Sequence, residues 1–266
     1  MIRITETRRE TFRPDSAREG SNGPDRHERD NAVAQTLLRL ATRAMGLTGA
    51  DIERIVPGAR LKARREKRRL TYDDIEAGIR GHRPPVPYDV RWRFAIHEAG
   101  HAIVHHALRL GSIKGLTIDT KDGGHNAVSF ATGAPDTAEW YERLLAMLLA
   151  GRAAELIVLK SASAGSGGAE HSDLARATWI ALDMEQALGF GGHHPLLYLA
   201  HRDLTVALTR DVELADRVHR RLEFAQARAT EVIRENRAAF DRLARELFDH
   251  QALDGDAVAA ILGAPA

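Results

Sequence analysis

Apolar residues recur every three or four positions along much of this chain, which is the pattern of amphipathic helices. Three such stretches lie early in the sequence: one begins at Asn31, one follows Thr48 and one follows Thr71. The residues before Asn31 are rich in charged and small polar types and show almost no apolar periodicity. We therefore predict a disordered tail over residues 1–30 and a small helical unit over residues 31–82.

A proline-rich stretch then interrupts regular structure at Pro84, Pro85 and Pro87. We interpret residues 83–89 as a linker and residues 90–266 as a second domain. Apolar periodicity in that domain predicts helices over about 90–110, 137–159, 173–188, 212–236 and onward to about 248, with a short helix after 254–255.

Alternating apolar residues predict one β-hairpin over residues 113–132. Leu116 and Ile118 precede a glycine-containing turn, and Val128 and Phe130 follow it. Because no other strand pair stands out, the predicted fold class is mainly α with one small β-hairpin.

Composition excludes several kinds of chemistry. The 38 Lys and Arg residues nearly balance the 37 Asp and Glu residues, so the net charge of +1 gives no general attraction to nucleic acid or an anionic membrane. The chain has no cysteine, which excludes disulfides, thiolate metal sites and a cysteine nucleophile, and fits a reducing compartment such as the cytoplasm. The N-terminus has no apolar segment of signal-peptide length, and we expect no membrane span. Any metal must be bound by His, Asp or Glu.

The predicted helix after the linker contains His97, Glu98 and His101 in the pattern HExxH. Histidines four positions apart lie about 40° apart around a helix, so both imidazoles can reach one ion. Glu98 lies about 100° from His97, where a carboxylate can take a proton from the attacking water. Ala99 and Gly100 leave room for another backbone to approach. This spacing predicts a catalytic metal site.

Such a site needs a third protein ligand from elsewhere in the chain. The metzincin pattern is excluded because Ala107 occupies the position where that class has a histidine. His105 continues the histidine stripe but lies far along the helix axis, so we expect it to be solvated or to support the ligands. Glu155 and Asp173 are the two downstream carboxylates in suggestive settings.

Several motifs of this chain resemble, in order, the protease domain of the FtsH family of ATP-dependent, membrane-anchored AAA+ zinc metalloproteases. They are Ala95–Ala102 around HExxH, Gly151–Glu155, Gly168-Ala169 with Asp173-Leu174 and Ala177-Thr178, Asp211–Glu213, and Leu253–Gly255. The resemblance implies a helical zincin-like protease domain with zinc as its metal. It also implies Asp173 as the third ligand beside His97 and His101, with Glu98 as the catalytic base. Between Gly168-Ala169 and Asp173 the chain has one residue more than the family pattern, so Glu170, His171 and Glu155 stay open as alternatives.

The resemblance extends to residues 44–63 and 70–77, which are similar to the helical lid of the family's AAA+ module. Pro57-Gly58 departs from that pattern, so we expect a kink or break in the helix there. No lysine stands in a phosphate-binding P-loop, and we expect no ATP binding or hydrolysis by this chain alone. The resemblance also implies hexameric rings and a link to a membrane only through a longer parent chain or a partner.

The leading hypothesis is a zinc metalloendopeptidase that cleaves unfolded or extended polypeptides as the proteolytic part of an ATP-dependent AAA+ protease. The hairpin would align an extended substrate by β-augmentation. The rival hypothesis is a non-proteolytic assembly module with a structural zinc. A nucleic-acid partner is not expected for the basic run at residues 60–69, because no aromatic residues interleave with it for base stacking.

Overall fold

A computed structural model describes residues 26–82, 86–120, 123–130, 135–199 and 204–263. The chain divides into residues 1–35 and residues 36–266, and the latter form one compact unit. Most of the predicted disordered tail, and part of the predicted linker, lie outside the described residues. The sequence-based division into residues 31–82, 83–89 and 90–266 stays a prediction.

From residue 26 onward, where the description begins, three helices precede the proline-rich stretch: α1 (Arg26–Arg43), α2 (Gly49–Arg65) and α3 (Tyr72–Gly81). The starts of α2 and α3 are fixed by capping boxes, in which Thr48 pairs with Asp51 and Thr71 pairs with Asp74. The helix α2 continues through Pro57-Gly58, so it is not interrupted there, whereas the alternative of a kink stays a prediction.

The helix that carries HExxH is α4 (Tyr88–Ala107), and it is buried from Ala95 to His105. It packs against α6 (Ala150–Leu159), which follows α5 (Ala138–Leu148). A Cβ atom at Gly100 would lie 2.7 Å from the backbone oxygen of Ala150, so glycine permits the close approach of the two helices. The space expected beside Gly100 is thus confirmed, whereas the single predicted helix over 137–159 is wrong, since it divides near Leu149.

Within the described residues, the strands β1 (Gly111–Thr120), β2 (Gly123–Phe130) and β3 (Ala252–Asp254) form an antiparallel sheet of order β2-β1-β3. The predicted hairpin is confirmed as β1 and β2. The sequence analysis missed β3, because three residues are too few to show alternation.

The remaining helices are α7 (Asp173–Gln186), α8 (Leu204–Arg210), α9 (Val212–Glu235), α10 (Arg237–His250) and α11 (Gly255–Leu262). Side-chain oxygens of Ser172, Asp211 and Asp254 cap α7, α9 and α11. The short helix α8 was not predicted. A single apolar core joins α4 to the flanking helices and the sheet, so the fold is mainly α, as predicted. None of the described helices has the length and apolar character needed to cross a bilayer.

Candidate metal centre

The buried part of α4 presents His97 and His101 toward the same point. Their Nε2 atoms lie 3.0 Å apart, and both side chains are buried. One helical turn separates the two residues, so the backbone hydrogen bonds of α4 fix the spacing of the imidazoles. This part of the site is the one that the sequence pattern predicted directly.

The third group comes from the first residue of α7. Asp173 places Oδ2 3.2 Å from Nε2 of His97 and 3.1 Å from Nε2 of His101. Ser172 precedes it and accepts a hydrogen bond from the backbone N–H of Ala175, which fixes the start of the helix. In a tetrahedral zinc site with bonds of about 2.0–2.1 Å, the ligand atoms lie about 3.3–3.4 Å apart. The three atoms therefore already lie close to the spacing of a metal site, and among the described residues they are the group of side chains that could hold a metal ion.

The opposite nitrogen of each imidazole is held by a hydrogen-bond acceptor. Nδ1 of His101 donates to the backbone oxygen of Met147 at 2.8 Å, and Nδ1 of His97 donates to Oε1 of Glu155 at 2.9 Å. A carbonyl or carboxylate oxygen can only accept, so each Nδ1 carries the proton. In a neutral ring the Nε2 lone pair then points to the side of Asp173, an arrangement that suits a cation bound by the two imidazoles and the carboxylate together.

Glu155 is a fully buried carboxylate that supports His97 from behind. Arg93 donates to its Oε2 at 2.5 Å, and the backbone N–H of Ser163 donates to the same oxygen at 2.8 Å. Burial raises the pKa of Glu155, but the hydrogen bonds from His97 and Arg93 outweigh it and lower the pKa to about 2. Glu155 is therefore an anion that orients an imidazole, and it does not face the centre of the group.

The electrostatics of the three converging groups favour a positive charge among them. Burial lowers the pKa of His97, but its hydrogen bonds to Asp173 and Glu155 outweigh this effect and raise the pKa to about 10. Burial raises the pKa of Asp173, but the two imidazoles hold that pKa well below its usual range. When no metal is bound, a proton on His97 supplies this positive charge. A bound metal ion would supply the charge instead.

Glu98 is buried beside the converging groups without being one of them. Its Oε2 accepts a hydrogen bond from Nδ2 of Asn126, and a Cβ atom at Gly124 would collide with its carboxylate. The inner face of β2 thus holds this side chain in place. The sequence analysis did not identify Asn126, although its position two residues before Val128 and four before Phe130 puts it on the same strand face.

These groups line one cleft of about 420 Å³ between α4, β2 and the start of α7. His171 lies on its wall, and Glu170 is exposed outside it; neither belongs to the converging group. His105 is neither solvated nor bonded to the ligands, contrary to our expectation, because it is completely buried. The open alternatives for the third position thus lie away from the centre, whereas Asp173 lies at it.

We expect Gly151→Ala to disturb the centre by steric displacement. A Cβ atom there would lie 2.4 Å from Nε2 of His97 and 2.6 Å from Nε2 of His101, so at least one ring must move. The affinity for a divalent metal should fall by about 10–100-fold, as measured by competition with a chelating dye. Gly58→Ala is the matched control, since a Cβ atom there meets nothing within 4 Å. Equal affinity in the two variants would contradict the described packing.

Two histidines on a helix, a neighbouring glutamate and a downstream aspartate define a centre of the metallopeptidase class. Residues 88–261 match the sequence model of peptidase family M41. The chain belongs to this family.

Curated relatives agree with that assignment. An ATP-dependent zinc metalloprotease FtsH of Synechococcus sp. (strain JA-2-3B'a(2-13)) is 29% identical over 251 residues, covering 85% of this chain and 39% of the relative. An ATP-dependent zinc metalloprotease FtsH 2 of Symbiobacterium thermophilum is 32% identical over 255 residues, covering 86% of this chain and 41% of the relative. An ATP-dependent zinc metalloprotease FtsH of Thermotoga maritima is 29% identical over 266 residues, covering 89% and 42%. The chain spans about two fifths of the length of these relatives.

Proposed function

We propose that this chain is a zinc metalloendopeptidase that hydrolyses peptide bonds of extended or unfolded polypeptides. The observation that carries the proposal is the convergence of His97, His101 and Asp173 beside the carboxylate of Glu98. Family membership and the names of the relatives support the same reaction.

The donor set fits zinc. Two imidazole nitrogens and one carboxylate oxygen are a combination that catalytic zinc sites use, with a further position for water or substrate. The fixed Nδ1–H tautomers of His97 and His101 direct their lone pairs to the shared point. A zinc ion bound there supplies Lewis acidity, which lowers the pKa of a coordinated water and polarises a carbonyl group.

Glu98 is proposed as the general base. Its carboxylate accepts the proton of the attacking water and then returns that proton to the nitrogen of the leaving amine. Asn126 holds one of the carboxylate oxygens, which limits rotation of the side chain. Burial of Glu98 excludes most bulk water from the transfer.

The substrate is proposed to bind in extended form along β2. Within the described part of the sheet, β2 pairs only with β1, so its other edge has no strand partner. Asn126, Val128 and Phe130 of β2 line the cleft. A peptide added at this edge by backbone hydrogen bonds would pass the catalytic groups, which is the geometry of β-augmentation.

We further propose that the chain works as the proteolytic part of an ATP-dependent protease. The relatives are named as ATP-dependent, and their greater length leaves room for a motor. In this proposal residues 31–82 are the lid-like unit, residues 83–89 the linker and residues 90–266 the protease domain. The assembly is a homo-oligomer, with a hexamer as the expected state, and it acts in the cytoplasm.

Elemental analysis and a cleavage assay on the same preparation test the proposal. The purified chain should contain about one zinc per molecule and should cleave an unstructured casein. A chelator should abolish cleavage, and added zinc should restore it. If the purified chain binds no metal, the proposed metal centre is wrong. If it binds metal but does not cleave casein, the assembly-module hypothesis is favoured.

Glu155→Gln tests how His97 is oriented. The glutamine side chain has no negative charge to pair with Arg93, and only its single amide oxygen can accept a hydrogen bond from Nδ1 of His97. We expect zinc affinity to fall by about 10–100-fold while the ligands themselves are intact. Zinc titration with a competing chelator measures the effect. Glu139→Gln on the exposed face of α5 is the control, and a variant of Glu155 that binds zinc normally would refute this role.

A further inference from the structure

The cleft carries one arginine that the proposed reaction does not use. Arg176 lies near the start of α7, three residues after Asp173, and it lines the cleft. Three residues advance a helix by about 4.5 Å and return to within about 60° of the starting direction, so Arg176 follows Asp173 on nearly the same side of α7. Arg176 is exposed, so a substrate that enters the cleft can reach it.

The buried and half-buried carboxylates of the cleft have partners other than Arg176. Glu155 pairs with Arg93, and Asp173 converges with the two imidazoles. Within the described residues Arg176 makes no ion pair, and it is the only Lys or Arg that lines the cleft. Its guanidinium is therefore available to a ligand.

The formal charges of the metal-loaded cleft balance before Arg176 is counted. Glu98, Glu155 and Asp173 contribute three negative charges, and Arg93 together with one divalent ion contributes three positive charges. Arg176 thus leaves an excess of one positive charge. Near the start of a helix this charge adds to the positive end of the helix dipole instead of offsetting it.

An excess positive charge on the wall of a peptide cleft favours an acidic substrate side chain. The planar fork of a guanidinium can donate two parallel hydrogen bonds to one carboxylate. A substrate lysine or arginine would be repelled at the same place, and a neutral amide would gain no charge attraction.

The position of Arg176 relates this preference to the scissile bond. The cleft lies between α4, β2 and the start of α7, so a peptide along β2 has α7 on its other side. An extended peptide advances by about 3.3 Å per residue, and the step of about 4.5 Å from Asp173 to Arg176 corresponds to one or two residues.

We propose that Arg176 forms a specificity subsite that selects an acidic side chain, aspartate or glutamate, within about two residues of the scissile bond. This inference rests on the proposed peptidase function and names the substrate chemistry of the same cleft.

Peptide binding to the zinc-loaded Glu98→Gln protein tests the subsite without requiring turnover. The probes are end-blocked fluorescent peptides of alanine and serine, in which one glutamate, glutamine or lysine is moved through the central positions. Glutamine has the shape of glutamate without its charge. At one position we expect glutamate to bind about fivefold more tightly than glutamine at low ionic strength, measured by fluorescence anisotropy. The ratio should fall toward one at about 1 M salt, where the screening length is about 3 Å.

Arg176→Gln in the same background should remove the preference for glutamate without changing zinc content. Arg176→Glu should reverse the preference, so that lysine binds more tightly than glutamate at that position. Arg245→Gln is the matched control, because Arg245 is exposed on α10 and does not line the cleft. Its preference should equal that of the Glu98→Gln parent, and the charge removed at Glu98 is common to all these proteins.

The subsite and the reaction fail in different ways. A preference for glutamate that persists in Arg176→Gln would show that the metal attracts the carboxylate, and it would overturn the subsite. Equal binding of glutamate and glutamine, or the absence of peptide binding, would also overturn it, whereas casein cleavage by the protein with Glu98 intact would still support the reaction. Peptides that bind with a preference that depends on Arg176, but are not cleaved by that protein, would support the subsite and overturn the reaction.

Discussion

Replacing Glu98 with glutamine is expected to reduce peptide cleavage by about 10²–10⁴-fold and to leave zinc content unchanged. The glutamine side chain has the same shape, and its amide oxygen can still accept the hydrogen bond from Asn126. It cannot accept the proton of the attacking water. Casein hydrolysis and elemental analysis of the same preparation measure the two effects.

Glu223→Gln is the control for this substitution, because Glu223 is exposed on α9 and far along the chain from the centre. Its activity should equal that of the parent. An assembly module with a structural zinc needs no general base beside the metal. Equal turnover by the Glu98→Gln protein and the parent would therefore refute the proposed mechanism.

The second large effect is expected for Asp173→Ala, which should lose both bound zinc and cleavage. The substitution removes the only anionic member of the converging group and leaves the two imidazoles alone. We expect zinc affinity to fall by at least about 10²-fold, since loss of a ligand should cost no less than loss of its supporting partner. Competition with a chelating dye and parallel cleavage assays measure both losses.

Glu170→Ala and His171→Ala are the matched controls, because these residues lie just before Asp173 in the chain and stand outside the converging group. Both should retain zinc, and Glu170→Ala, which lies outside the cleft, should also retain activity. If one of them loses zinc while Asp173→Ala retains it, the start of α7 must be arranged differently in the metal-loaded protein, and the ligand assignment would be wrong.

The parts of the site that lie on one helix were accessible from the sequence. His97 and His101 are brought together by the period of α4 alone, and Glu98 is placed beside them by the same helix. Asp173 came from a resemblance of motifs rather than from spacing, because 76 residues separate it from His97. Its position depends on how α7 packs in the core.

The supporting contacts could not be predicted in that way. Glu155 was one of the open alternatives to Asp173, and only its packing against Arg93 and His97 shows that it faces the outer nitrogen of the ring. Asn126 reaches Glu98 from a strand, across the space between sheet and helix. Such contacts depend on tertiary packing, which hydrophobic periodicity does not specify.

The prediction of the fold likewise succeeded for elements with a strong local pattern and failed for the others. Long amphipathic helices such as α9 and the alternating hairpin carry strong periodic signals, and both were predicted. The boundary between α5 and α6 falls in a continuous apolar run near Leu149, where burial on all sides removes the periodic contrast. The pairing of β3 with β1 joins distant segments and has no local signature.

The distance in sequence between the converging side chains has a consequence for the stability of the protein. An ion held by His101 and Asp173 would act as a cross-link that closes a loop spanning 72 positions of the chain. The unfolded polypeptide would have to gather these groups against its chain entropy, so the ion would bind the native state preferentially. Each tenfold rise in free zinc above the dissociation constant would then add about 1.4 kcal/mol to the free energy of unfolding. The free concentration of the metal would thereby set both how much of the centre is filled and what fraction of the protein is folded.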